Sequence, residues 1–244
     1  MTTFQRVHAK PPPRPPSVTD LPEGSRLLYK VLAGSHATNL ATPESDYDWR
    51  GVYQAPTRSL LGLQSPPETI QVPPDETYWE LSHFARLCLK GNPNIMELLW
   101  TDWWPEGNTQ QTSNVIDEII AIRKSFFTTS MVAAYLGWVT KERRILGNVE
   151  KADKLTGKRG SHLVRLLLGL REALLTGQLP VFLEGDDRDF CMAIKMGERS
   201  QTEVLYTIDI LKERCKGLSA AANWPEPDPR AIEDIVIRAR MEML

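Results

Sequence analysis

Cysteine is scarce in this chain, and net charge is nearly absent. The three cysteines, Cys88, Cys191 and Cys215, are odd in number and far apart. They make neither a disulfide framework nor a metal-ligand pattern, and read as reduced thiols or core filler. With a formal net charge of −2, the whole molecule is no electrostatic glue for nucleic acid, so phosphate binding must be local. No apolar run approaches the roughly 18 residues of a membrane span. The opening MTTFQRVHAKPPPRPP lacks the apolar centre of a signal peptide. These absences leave a soluble, cytoplasmic protein with no membrane partner as the expectation. What is present is 244 residues, 41% of them hydrophobic, enough for one large domain or two small ones with a real core.

Residues 1–20 hold KPPPRPPSV and little to bury, which predicts a Pro-rich leader, solvated or docking a partner groove. From 21 to about 82 the pattern mixes strands and turns. RLLYKVLAG, residues 26–34, predicts a short helix running into Gly34-Ser35. YDWRGVYQAP predicts a strand stopped by Pro56, ETIQVPP a second, and ETYWELSHF a third merging into a helix. Asn92 and Pro93 form a helix start. Apolar residues at three- and four-residue steps predict helices over Thr112–Phe126, Met131–Leu146, Ser161–Thr176, Asp187–Met196, Thr202–Ala222 and Pro229–Met243. The expected class is α+β: a small mixed sheet with flanking helices over 21–110, then an all-helical domain over 111–244.

One stretch concentrates the chemistry. LAGSHATNLATPESDYDWRGVY, residues 32–53, joins a Gly-Ser turn, two aspartates two apart and an arginine. If Asp46 and Asp48 lie on a strand they share a face, and carboxylates held that close repel unless a cation sits between them. Magnesium suits that geometry, taking carboxylates together with water and phosphate oxygens. Gly34 and Ser35 offer an unobstructed backbone and a hydroxyl to a phosphate, and Arg50 falls where it pairs with phosphate or with one aspartate. A polar surface hairpin is the plain alternative.

These residues resemble the G-S-x(n)-D-x-D signature of the DNA-polymerase-β-like nucleotidyltransferases. They are most similar to the RNA-repair-associated subfamily whose motif runs G-S-x-A-x-x-x-x-T-P-x-S-D-x-D-x-R-G-V. Two further blocks support the resemblance, LCLKGNPNIMELLW (87–100) and HLVRLLLGLREALLTGQLPV (162–181). Thr38-Asn39 depart from it, standing where relatives have an aromatic residue and a glycine, and Trp49 replaces an aliphatic residue. The resemblance implies a palm-like catalytic domain, two Mg²⁺ ions (or Mn²⁺), an NTP such as ATP as substrate, and transfer of its nucleoside monophosphate. It makes Asp46 and Asp48 metal ligands and gives Gly34 and Ser35 the triphosphate. A third carboxylate is expected from PPDETYWEL, with Glu80 favoured over Asp75 and Glu76. An RNA end is the favoured acceptor, a protein or small molecule the others. The competing class is a catalytically inactive nucleotide sensor or regulatory protein of phage or bacterial type on the same fold.

The third block places His162 and Arg165 on one helix face behind Lys158 and Arg159, as nucleotide-binding candidates or as a solvated basic helix start. Trp100, Trp103 and Trp104 read as base-stacking or core residues. The basic segment 141–159 is the best local electrostatic candidate for a nucleic-acid backbone. His36 reads as incidental, Glu97 as a first-turn carboxylate, and GDDRD (185–189) as a helix start.

Overall fold

The computed structural model describes residues 21–63, 65–101, 112–148 and 154–244. The Pro-rich leader, Trp103, Trp104 and residues 149–153 of the basic segment lie outside them. The architecture is α+β. Strands β1 (Arg26–Leu32), β2 (Trp49–Gln54), β3 (Thr69–Val72) and β4 (Glu76–Glu80) form one mixed sheet in the order β1-β2-β4-β3. β1 pairs antiparallel with β2, β2 parallel with β4, and β3 antiparallel with β4.

β1 corrects the expected helix over 26–34. Five consecutive residues, Leu28 to Leu32, are buried, so both faces of this strand are covered and no alternation marks it as a strand. Lys30 is buried within that run, with Nζ donating to Glu76 Oε2 at 2.9 Å, which satisfies a charge that burial alone would penalise. The other strands follow expectation: Pro56 ends β2, and β4 runs straight into α3 (Leu81–Leu89). Gly51 is required at the centre of β2, because a Cβ there would lie 2.5 Å from the Tyr29 carbonyl and 2.6 Å from the Tyr78 ring.

The helices are α1 (Gly34–Ala37), α2 (Thr57–Leu60), α3, α4 (Pro93–Leu99), α5 (Asn114–Ala121), α6 (Thr129–Gly147), α7 (Lys154–Thr176), α8 (Gly185–Lys195), α9 (Gln201–Ala221) and α10 (Arg230–Met241). Asn92 caps α4 as expected, accepting from the backbone N–H of Asn94 and Ile95. The predicted helix over 112–126 divides into α5 and a 3₁₀ turn, Arg123–Phe126. Trp100 is core: buried, stacked on Phe127 with ring centroids 5.2 Å apart, with Arg123 over its face.

α7 is the axis of the helical half, burying Leu163, Val164, Leu166, Leu167, Leu168 and Leu170 among α6, α8 and α9. The sheet and these helices share one continuous hydrophobic cluster running from Leu28 to Ala239. α10 returns from the end of the chain to the sheet. Its Arg240 donates to Glu80 and to the Ala55 carbonyl, while Thr57 and Gln54 donate to the Arg240 and Ala239 carbonyls. Among the described residues, no helix is long and apolar enough to cross a membrane.

Candidate active site

The Gly-Ser turn and Asp48 meet at the end of β1. Strand β1 delivers Ala33, whose N–H donates to the Asp48 carbonyl at 2.8 Å. Gly34 then takes φ +62° and starts the single turn α1. A Cβ on Gly34 would sit 1.9 Å from Asp48 Oδ2. Glycine therefore serves both the left-handed backbone and the close approach of a carboxylate. Asn39 is left-handed too, at φ +61°, a conformation that asparagine tolerates better than most residues.

Asp46 and Asp48 are not on a strand. They stand in the extended segment that leads into β2, so strand alternation does not set their directions. A turn over Thr42–Ser45 holds that segment: Ser45 Oγ accepts from the Thr42 N–H at 2.9 Å, and the Ser45 N–H donates to the Thr42 carbonyl at 2.9 Å. His36 braces it, stacked on Tyr47 with centroids 4.3 Å apart and its Nε2 3.4 Å from the Ser45 carbonyl. Burial lowers the His36 pKa, so this histidine is a neutral brace. Asp48 is half-buried and Asp46 exposed. Arg50 donates from Nη2 to Asp48 Oδ1 at 3.2 Å, and from Nη1 to the Trp49 and Asp75 carbonyls at 2.9 Å. It ties the aspartate segment to the start of β4.

A cavity of about 650 Å³ opens here, lined from both halves of the chain. The sheet half contributes Gly34, Ser35, Asp48 and Arg50, with Thr77 and Trp79 of β4. The helical half contributes Lys158, Arg159, His162 and Arg165 of α7 and Lys195 of α8, and α4 contributes Glu97. Five cations and two carboxylates thus face one cavity, whose fixed charge favours an anion. Lys195 is the residue sequence reading missed. Its Nζ donates to Ser35 Oγ at 3.2 Å and to the Leu40 carbonyl at 2.6 Å. Burial and then Lys158 lower its pKa, while Asp48 opposes them. The available signal was one lysine in the otherwise apolar run FCMAIKM.

The expected third carboxylate does not reach this cavity. The β4 residues lining it are Thr77 and Trp79; alternation turns Glu76, Tyr78 and Glu80 to the opposite face. Glu80 caps α3 through the Ser82 N–H at 2.8 Å and pairs with Arg240, a structural commitment where metal ligation was expected. Asp75 is exposed and engages Arg50 and Trp49 through its carbonyl. Arg165 also departs from expectation: Nη1 and Nη2 donate to both Glu97 oxygens, at 2.6 and 3.1 Å. That is a paired guanidinium, where a free phosphate ligand was expected. Lys158 and Arg159 do stand exposed on the wall, as expected. The GDDRD segment opens α8, with Asp187 pairing Arg171 at 3.1 Å.

Oxygen donors of the type magnesium takes are present in Asp48, Asp46 and Ser35. Among the described residues no group of three or more acidic, histidine or cysteine side chains could hold a metal. Of the three donors, Asp48 and Ser35 line the cavity, whereas Asp46 is exposed and is not among the lining residues.

Family comparison matches residues 9–186 to the RNA repair pathway DNA polymerase beta family. The chain belongs to that family. It is similar to an uncharacterized 38.9 kDa protein of Enterobacteria phage T4, 25% identical over 132 residues, covering 48% of this chain and 38% of the relative. It is also similar to the uncharacterized protein YcgL of Bacillus subtilis, 31% identical over 83 residues, 32% of each chain. The matched stretches therefore span under two-fifths of either relative. No solved structure matches.

Proposed function

We propose that this chain is a metal-dependent nucleotidyltransferase that moves a nucleoside monophosphate from an NTP to an acceptor hydroxyl, an RNA end being the favoured acceptor. The observation that carries this reading is the convergence at one cavity of Gly34, Ser35 and Asp48 with the Lys195 ammonium, the latter delivered from 160 residues away. An anionic ligand with several phosphates fits a wall with five cations; a neutral metabolite does not. Ser35, Lys195 and Lys158 hold the triphosphate tail, and Arg50 keeps the Asp48 carboxylate aimed into the cavity. Asp46 and Asp48 would hold Mg²⁺, which neutralises phosphate charge and favours attack at the α-phosphorus. The acceptor oxygen bonds to that phosphorus as the bond to pyrophosphate breaks, and the hydroxyl proton leaves to water. The favoured RNA acceptor follows the family description.

The test is incubation with each α-labelled NTP, Mg²⁺ or Mn²⁺, and RNA ends or protein. Label on an acceptor, lost in Asp46→Ala and Asp48→Ala, is the expected result; labelling unchanged in both variants overturns the assignment. A second reading is favoured by one observation, the commitment of Glu80 to Arg240: a nucleotide-binding regulatory protein without turnover. It predicts metal-dependent NTP binding with no label transferred.

A further inference from the structure

The cavity holds a polar network whose geometry is more specific than charge. On α7, Lys158, His162 and Arg165 are spaced four and three apart and line the same wall. Lys158 lies close enough to Lys195 to lower its pKa, and Lys195 touches Ser35, so this end of the stripe is the phosphate end. His162 lies one turn along, about 6 Å by helix rise. Arg165 is deeper, its guanidinium fixed on the Glu97 carboxylate.

Arg165 Nη2 also lies 3.0 Å from His162 Nδ1. A guanidinium has only donors, so Nδ1 must carry a lone pair and the ring proton must be on Nε2. The Glu97 pair fixes the guanidinium, and the guanidinium fixes the tautomer. Nε2 has no partner among the described residues, and His162 lines the cavity. We infer that His162 offers its Nε2–H as a fixed, uncharged hydrogen-bond donor to a neutral acceptor atom of the nucleoside, a ribose oxygen or a base nitrogen or carbonyl, with Arg165 and Glu97 as positioning residues.

The inference rests on the nucleotide reading above and makes it finer. A histidine meant for phosphate would gain from carrying charge. Here burial and the adjoining Arg165 cation push its pKa down to about 4, against the weaker opposing pull of Glu97. The charged groups that act on the ring are Arg165 on α7 and Glu97 on α4; burial and Arg165 together outweigh Glu97, so the neutral form is favoured throughout the physiological range.

The full chain is titrated calorimetrically with NTPs and with inorganic tripolyphosphate, in Mg²⁺, at pH 6.5 and 8.5. His162→Phe is expected to weaken nucleotide binding about 10-fold, the worth of one neutral hydrogen bond, equally at both pH values, and to leave tripolyphosphate binding unchanged. His162→Gln, which can return an N–H near the same place, is expected to recover most of it. A loss confined to ribonucleotides over 2′-deoxy analogues assigns the acceptor to the sugar; a loss that varies with base assigns it to the base. Equal losses for tripolyphosphate and nucleotide, or none for either, overturn the inference. Failure of the unmodified chain to bind either ligand overturns the nucleotide reading itself. Should the variants not fold, histidine ¹⁵N NMR on the unmodified chain decides: unprotonated Nδ1 and protonated Nε2 are expected, with Nε2–H shifting on nucleotide but not on tripolyphosphate. Any other tautomer, or no shift, counts against it.

Discussion

Asp48 Oδ2 occupies the space in which a side chain at residue 34 would begin: a Cβ built on Gly34 would lie 1.9 Å from it. Glycine at 34 is therefore required by the aspartate: no side chain can be added there without moving the Asp48 carboxylate. Gly34→Ala meets two penalties, the left-handed φ of +62°, worth about 1–2 kcal/mol, and displacement of the carboxylate. The expected outcome is a folded protein with a lowered melting temperature and nucleotide affinity down at least ~10-fold, about 1.4 kcal/mol. Calorimetric titration with an NTP and Mg²⁺ checks this; unchanged affinity would mean that Asp48 does not contact the ligand.

Glu80 and Arg240 supply the second prediction. Their side chains are 5% and 11% exposed, and the pair ties the last helix to the strand that leads into α3. Removing one partner strands a buried charge, which costs about 3–5 kcal/mol. Glu80→Ala and Arg240→Ala should each destabilise by that order, and Glu80→Met/Arg240→Met should recover most of the loss. Denaturant unfolding reads the stability. If Glu80→Gln instead leaves stability intact and abolishes metal-dependent nucleotide binding, Glu80 is the metal ligand that its sequence position suggested.

Some of this was legible in the residues and some was not, for identifiable reasons. Asn92-Pro93 announces α4 because capping and proline at the first helical position are local chemistry. The Gly34–Asp48 pairing follows from a motif confined to 15 residues. β1 was misread because a strand buried on both faces shows no alternation, and because Lys30 finds Glu76 only across the sheet. The Glu80 ion pair was out of reach for the same kind of reason: its partner Arg240 is 160 residues away. Lys195 reaches Ser35 over the same separation, so the one local signal, a lysine in an apolar run, does not say what it meets. Local rules recover caps, turns and motifs, whereas ion pairs between distant segments need the fold.

Lys195 makes a third test. Its ammonium bridges Ser35 Oγ and the Leu40 carbonyl, joining the helical half to the Gly-Ser turn with no carboxylate in direct contact among the described residues. A cation so placed, with its charge uncompensated by a direct ion pair, is available to phosphate. Lys195→Met should weaken NTP and tripolyphosphate alike, by ~10-fold or more for a charge-assisted contact. The salt dependence of binding should fall with it. A variant that binds both ligands as well as the parent would make Lys195 a purely structural latch.

The buried imidazole of His162 makes a fourth, in stability rather than binding. Its folded pKa is about 4, against 6.5 for the ordinary group, because burial and Arg165 disfavour the imidazolium. Above pH 6.5 neither state carries the proton, and the group contributes no pH dependence. As pH falls below 6.5 the unfolded chain takes up a proton that the folded chain refuses, so the folded state loses stability. The slope is at most about 1.4 kcal/mol per pH unit, and it ends once the folded group titrates near pH 4. The total is about 3 kcal/mol by that slope. Other groups titrate in the same window, so the quantity to measure is the difference between the parent chain and His162→Gln. By denaturant unfolding at pH 7.5, 6, 5 and 4.5, the parent should lose stability relative to the variant at each step. Parallel curves would mean that His162 is protonated in the folded protein, and the Nδ1 acceptor geometry with Arg165 would have to be abandoned.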